Sequence, residues 1–192
     1  MGISGVGKTS LIYSFDMGCS MINQLSTMGL EEKYNIYKLS DNSIIGCTFF
    51  DTNGTERYRF LNETYYKKID GCLIVYDITN RRSFDEIEKN YIPKLNEKCK
   101  KNIVTVLLGN KKDMEDKRKI SFEEGNELAK KYNFIFKEAS CFEKINVFIA
   151  FQTIIENTFL KKRKEFNYQD ENSIDLSIER HINLNRRKFN CC

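Results

Sequence analysis

Eight residues close to the start, Gly2-Ile3-Ser4-Gly5-Val6-Gly7-Lys8-Thr9, limit what this chain can fold into more than any other stretch. Glycines in such a loop let backbone N–H groups curl around phosphate oxygens, and the loop works only where it runs straight into a helix whose N-terminus faces the anion. A helical pattern begins at Lys8 and meets that condition. On this reading Gly2, Ser4, Gly5, Val6 and Gly7 form the cradle and Lys8 reaches the β and γ phosphates. Thr9 offers its hydroxyl to Mg²⁺, and Ser10 follows in the same turn. A glycine-rich turn can match this pattern by chance, so the assignment needs a second motif.

The remaining chain supplies a matching architecture. Short β-branched or apolar runs alternate with longer helical patterns, the signature of a parallel sheet with helices on its faces. The spacing predicts helix at 8–17, a hairpin of strands at 31–39 and 44–50 around Asp41-Asn42-Ser43, a short helix near 59–68 and a strand at 72–77. Helix 83–98, interrupted by Pro93, precedes strand 103–109, helix 121–132, strand 134–138 and helix 146–165. Val147, Phe151, Ile154, Ile155 and Phe159 share one face of that last helix and should face the core. The expected fold is therefore α/β, a doubly wound, mostly parallel sheet over residues 1–166, with a flexible polar tail at 167–192. A strand should lead into the glycine loop, yet no apolar strand precedes Gly2. The sheet is expected to have a gap between the strands at 44–50 and 72–77, as in a chain truncated at its N-terminus.

Composition narrows the chemistry. A chain of 192 residues suits one domain, and no apolar run approaches the roughly 18 residues of a membrane span. No signal-peptide pattern opens the sequence, so neither a membrane crossing nor secretion is expected. Cys19, Cys47, Cys72, Cys99 and Cys141 are scattered, several in apolar runs, which suits a reducing cytosol better than a disulfide scaffold. The one histidine, His181, lies in the tail, so any catalysis must use carboxylates, hydroxyls, backbone amides or a bound cation. Of the net charge of +4, residues 161–192 hold +3, from eight Lys/Arg against five acids, which leaves +1 for residues 1–160. That near-neutral body argues against a nucleic-acid partner and for an electrostatic role at the C-terminus.

The second motif is Asn110-Lys111-Lys112-Asp113, directly after the apolar strand that ends at Gly109. A carboxylate at Asp113 can accept both N1–H and the 2-amino group of guanine. Adenine has an unprotonated N1 and no 2-amino group, so it would leave the carboxylate unpaired, which disfavours an ATPase. Alone in a lysine-rich protein this tetrapeptide says little; in register with a phosphate loop it is a strong signal.

With both motifs in order, the sequence resembles the Ras-like small GTPases and, within them, the Rab family, from Gly2 to about Phe166 and again at the C-terminus. Ser26-Thr27-Met28-Gly29 stands in the place of switch I, Asp51-Thr52-Asn53-Gly54-Thr55-Glu56-Arg57-Tyr58 in that of switch II, and Glu138-Ala139-Ser140-Cys141 in that of the last guanine motif. Arg59, Tyr65-Tyr66, the run Leu73-Ile74-Val75-Tyr76-Asp77-Ile78-Thr79 and the final Cys191-Cys192 carry the Rab character. The resemblance implies GTP and GDP as ligands, with Mg²⁺. Thr27, 19 residues after Lys8, would bind Mg²⁺ only beside a γ-phosphate, Asp51 would hold the ion through water, and the Gly54 amide would contact the γ-phosphate. Losing that phosphate would release both loops, a ligand-controlled switch. Asn110, Lys111, Asp113, Ser140 and the backbone amide of Cys141 would hold the guanine.

The same resemblance implies that Cys191 and Cys192 are both geranylgeranylated, since two lipid chains anchor stably where one is marginal. It also implies exchange factors, activating proteins, a prenyl chaperone and effectors of Rab type, and a place in the cytosol and on the cytoplasmic face of an endomembrane compartment. The basic clusters at 161–164 and 186–188 read either as attraction to anionic lipid or as ordinary solvated surface. Several positions depart from the family pattern. Thr55 replaces the glutamine that orients the attacking water, and Asn53 replaces the usual alanine. Ser20, 12 residues after Lys8, stands where an aromatic ring stacks on guanine, and Glu32 and Phe50 replace a Phe and a Trp that partners recognise, whereas Tyr66 keeps the third aromatic. Two functions remain open: a switch that hydrolyses GTP slowly with Lys8, Thr27, Gly54 and the divergent Thr55, or a GTP-binding, lipid-anchored recruitment module that hydrolyses hardly at all.

Overall fold

Alternating apolar runs and helical patterns become a six-stranded sheet with helices on both faces. The structure, a computed structural model, describes residues 1–17, 30–52, 66–101, 103–172 and 188–191. In chain order these form α1 (Lys8–Met17), β1 (Leu30–Lys38), β2 (Ile44–Thr52), β3 (Gly71–Asp77), α2 (Arg81–Glu86), α3 (Ile92–Lys98), β4 (Val104–Asn110), α4 (Phe122–Lys131), β5 (Ile135–Glu138), α5 (Val147–Asn172) and β6 (Lys188–Cys191). The strand order is β1-β2-β6-β3-β4-β5, antiparallel between β1 and β2 and parallel at every other pairing.

Local chemistry explains most of the boundaries. β3 is buried at every residue, as a central parallel strand covered on both faces must be. The β1–β2 hairpin turns at Asn42, whose φ of 65° suits asparagine, while Oδ1 of Asp41 accepts from the Ser43 amide at 2.9 Å. Pro93 has no N–H to offer the preceding turn, and the expected interruption takes the form of a π turn, Ile87–Tyr91, between α2 and α3. Ser121 and Glu124 form a reciprocal capping box that starts α4. Under one face of the sheet, α1 and α5 bury Leu11, Phe151 and Ile154. Under the other, Ile87 of the π turn and Leu128 and Ala129 of α4 pack with Ile74, Tyr76 and Leu107. The predicted stripe on α5 is in that first core, with Phe159 at its margin.

Two expectations need correction. The sheet has no gap between β2 and β3, because β6 lies there, paired with Gly46–Phe49 on one side and Gly71 on the other. Farther along, the Met1 ammonium donates to the Leu73 carbonyl at 2.5 Å, and the Val75 amide donates to the Met1 carbonyl at 2.8 Å. Buried backbone groups on β2 and β3 require partners, and these two segments supply them. The stretch at 167–192 is not structureless throughout, since α5 continues to Asn172 and 188–191 is a strand. The cluster at 161–164 forms ion pairs within the fold. Lys162 pairs with buried Asp70 at 2.5 Å, Lys161 with Glu165 at 3.8 Å and Arg163 with Asp41 at 3.8 Å. Most of the helix expected at 59–68, residues 59–65, lies outside the described residues, as do Cys19 and 173–187. Among the described residues no helix is long and apolar enough to cross a membrane.

Candidate functional site

In a doubly wound sheet the loops at the carboxyl ends of the strands share one rim. Here that rim gathers Asp51 from β2, Asp77 from β3, Asn110 from β4 and Glu138 from β5, all buried, beside the loop that enters α1. Two glycines in that loop are sterically required. Gly2 has φ of 144°, and a Cβ there would collide with the Val75 carbonyl; Gly7 has φ of 94°, and a Cβ would run into the Asn110 side-chain amide. Gly5, also at positive φ, completes the curl.

Lys8 opens α1 and donates to the Ile3 carbonyl at 2.9 Å, which folds its ammonium back over the loop. Burial lowers its pKa to about 8, against the opposing charge of Asp51. A docked phosphate would counter that burial and raise the value. Nucleoside diphosphate affinity is therefore expected to be flat below about pH 8, where the ammonium is charged with or without ligand, and to fall above it with a slope approaching tenfold per pH unit. Titration with a fluorescent analogue from about pH 6.5 to pH 9 measures this slope, and Lys8→Arg, which stays charged, should flatten it.

Next in the helix, Thr9 Oγ1 donates to Asp51 Oδ2 at 2.6 Å. The other carboxylate oxygen, Oδ1, is buried and has no hydrogen-bond partner among the described residues. Burial raises the Asp51 pKa, against the Thr9 hydrogen bond and the Lys8 charge. A hydroxyl beside a carboxylate with one unspent oxygen is a donor set suited to a hard divalent cation, so these residues fit Mg²⁺.

The loop that follows β4 is tied to the glycine loop by the Asn110 side chain, and the Cys141 thiol lies 4.0 Å from the Gly7 carbonyl. Asn110 Nδ2 donates to the Val6 carbonyl at 2.8 Å, while the Cys141 thiol approaches Asn110 Oδ1 at 3.5 Å. Burial pushes that thiol up to about 11, so it stays neutral. Lys111 takes a left-handed φ of 68° and reaches back to Asp77 Oδ2 at 2.6 Å. Thr79 holds the other Asp77 oxygen through its amide at 2.8 Å and its hydroxyl at 2.7 Å. Asp113 accepts from the Ser140 hydroxyl at 2.5 Å, and Ser140 Oγ itself accepts from the Glu143 amide at 3.0 Å. Thus Asn110 meets Cys141 and Asp113 meets Ser140, while Lys111 turns back to Asp77.

One residue escaped the sequence reading. Arg118 makes a two-pronged contact with buried Glu138, at 2.7 and 2.8 Å, and another with Glu115, at 2.7 Å on each prong. Those carboxylates hold the guanidinium well above its ordinary pKa. Glu138 in turn offers its carbonyl to Asn146 at 2.9 Å, so the Glu138-Ala139-Ser140-Cys141 loop is clamped at its first residue. Arg118 sits in a run of mixed charge without periodicity. The available signal was Glu138 itself, an acid closing the strand Ile135-Phe136-Lys137, which has to find a partner if buried.

Ser20, Thr27, Asn53, Gly54, Thr55 and Cys192 lie outside the described residues. The remaining candidates around the rim form a glycine loop with its backbone at positive φ, a hydroxyl and carboxylate pair beside it, and a separate loop that carries Asp113.

Comparison with known proteins gives the family. The Ras family model matches residues 1–160. Ras-related protein Rab-8B of Bos taurus is 38% identical over 188 residues, covering 98% of this chain and 89% of its own. Ras-related protein Rab-8 of Diplobatis ommata is 38% identical over 94% of this chain and 83% of its own, and GTP-binding protein ypt2 of Schizosaccharomyces pombe 34% over 95% and 91%. The family match and likeness along nearly the whole length make this chain a member of the Ras family and, within it, of the Rab GTPases of membrane trafficking, which bind guanine nucleotides.

Proposed function

We propose that the chain is a slow GTPase switch that recruits transport effectors while GTP-bound and is anchored by geranylgeranyl groups on Cys191 and Cys192. The observation that carries the nucleotide half is the Asn110 bridge, 2.8 Å from its amide to the Val6 carbonyl, because it fixes the distance between the phosphate loop and the base loop. A single ligand with phosphates at one end and guanine at the other spans both. In this reading Gly2, Ser4, Gly5, Val6 and Gly7 present backbone to the phosphates, Lys8 supplies a cation and Ser10 extends the helix N-terminus. Thr9, Asp51 and Thr27 would hold Mg²⁺, which neutralises charge on the phosphates when bound. The Gly54 amide serves the γ-phosphate, and Asp113 reads the base. Exchange factors, activating proteins, a prenyl chaperone and effectors of Rab type would act on the chain, in the cytosol and on the cytoplasmic face of an endomembrane.

Thr55 makes the rate the open quantity. Its hydroxyl lacks the reach and the paired amide donor and acceptor with which glutamine aligns water against a γ-phosphate. Phosphoryl transfer depends chiefly on positioning and charge stabilisation, so a missing aligning group lowers the rate without abolishing binding. Single-turnover hydrolysis of GTP should therefore be weak and should rise by about 10- to 100-fold in Thr55→Gln. Fast hydrolysis by the unaltered chain would mean that another group aligns the water. An equally slow Thr55→Gln would favour the second reading, which Thr55 also motivates: a GTP-loaded recruitment module that does not turn over.

A further inference from the structure

We infer that the outer edge of β5 is a docking surface for a second copy of this chain, paired antiparallel with Phe136 of one copy opposite Phe136 of the other. The inference goes beyond the nucleotide-switch reading and does not rest on it.

Among the described residues β5 closes the strand order, so its outer edge has no strand beside it. Backbone groups along a strand alternate in direction, and one bond fixes which residues point which way. The Ala139 amide donates to the Gly109 carbonyl of β4 at 2.8 Å, so Ile135, Lys137 and Ala139 bond inward while Phe134, Phe136 and Glu138 present their groups outward. Two of those outward groups are already engaged. The Phe134 amide donates to the Ala129 carbonyl at 2.8 Å, and the Glu138 carbonyl accepts from Asn146 Nδ2 at 2.9 Å. That leaves the Phe136 and Glu138 amides and the Phe134 and Phe136 carbonyls with no hydrogen-bond partner among the described residues.

These four groups complement their own copy. With a second edge laid antiparallel and Phe136 opposite Phe136, each Phe136 amide donates to the other's Phe136 carbonyl and each Glu138 amide to the other's Phe134 carbonyl. The remaining position of that ladder sets the Phe134 amide against the Glu138 carbonyl, and both are satisfied internally. No free group is left over, and none is asked to bond twice. A parallel neighbour or a shift of one residue breaks this match. Lys137 falls opposite Ile135 of the other copy, so no like charges are directly opposed.

Apolar surface flanks the edge on both sides. Phe122, at the start of α4, lies 5.1 Å from Phe136 between ring centroids and is 49% exposed. On the opposite flank, Ile149 stands one helical turn beyond Asn146 on α5 and is also 49% exposed, with Ile145 at 37% and Phe142 at 64% nearby in the chain. Together these four leave roughly 350 Å² of apolar surface in the open. A standard interface covers about 800 Å² per partner, somewhat over half of it apolar, so this patch falls a little short of one. The pairing is therefore weak and reversible, with Kd of about 10–100 μM.

The experiment uses the full chain. Sedimentation velocity between about 5 and 500 μM should show a monomer–dimer equilibrium. Residue-resolved amide exchange over the same range reads the register: Phe136 and Glu138 should slow about four- to tenfold as the dimer fills, whereas Lys137, bonded to β4, is protected throughout. Phe122→Glu with Ile149→Glu puts like charges on both flanks, each in the first turn of a helix where an acid is favoured, and should weaken the dimer about tenfold or more. If that variant does not fold, the two measurements on the unaltered chain decide alone. A chain that stays monomeric at about 500 μM overturns the pairing, and slow Phe136 and Glu138 amides in such a monomer mean that a segment of the same chain covers the edge. A dimer in which those two amides exchange as fast as in the monomer uses another surface and overturns it too.

Discussion

Asp113→Asn is expected to lose GTP affinity by about 10³-fold or more and to gain preference for xanthine nucleotides. The direction follows from which oxygen is already committed. Ser140 accepts the Glu143 amide at 3.0 Å, so its hydroxyl hydrogen is free to go to Asp113 Oδ1 at 2.5 Å. In the asparagine variant that contact pins the side-chain oxygen on Ser140 and turns the amide nitrogen toward the base. Guanine then meets a donor opposite its own N1–H and 2-amino donors. Xanthine carries a carbonyl in place of the 2-amino group and can accept. A site built to hydrogen-bond a particular edge discriminates strongly, because the wrong base leaves desolvated groups unpaired. Competition binding with GTP and XTP measures the shift, and an unchanged preference would remove Asp113 from base recognition.

Legibility in the sequence followed the range of the interactions. Periodicity located the helices and strands of the sheet, because burial of β3 and of the α5 stripe is written residue by residue in apolar spacing. The cradle was legible for a similar reason, since backbone curls demand glycine at Gly2 and Gly7 whatever surrounds them. The segment Lys188–Cys191 was not. Its neighbours in the sheet are more than a hundred residues away in sequence, and the four residues Lys188-Phe189-Asn190-Cys191 are too few and too mixed to show the pattern of a buried strand. The same limit hid Arg118, whose meaning depends on Glu138 twenty residues later.

Arg118→Ala should be the most destabilising substitution near the site, at about 3–5 kcal/mol, seen as a lowered unfolding midpoint. Glu138 is only 4% exposed, and Arg118 is its cation, bonded to both carboxylate oxygens. Removing the guanidinium leaves a charge in a place water does not reach, and the carboxylate must protonate or drag the strand end outward. Since Glu138 begins the loop that holds Ser140, the second consequence is functional: Ser140 loses its fixed position against Asp113, and GDP release should quicken. A neutral partner separates the two effects. Adding Glu138→Gln to Arg118→Ala removes the stranded charge and should restore part of the stability, because absent pairs cost less than broken ones. The loop keeps its Asn146 contact, which uses the Glu138 backbone, so nucleotide release should recover along with the fold. If both single and double variants unfold at the unaltered midpoint, the carboxylate is hydrated after all and the clamp has no energetic role. If stability recovers but release stays fast, the guanidinium itself orders the loop, independently of the charge it neutralises.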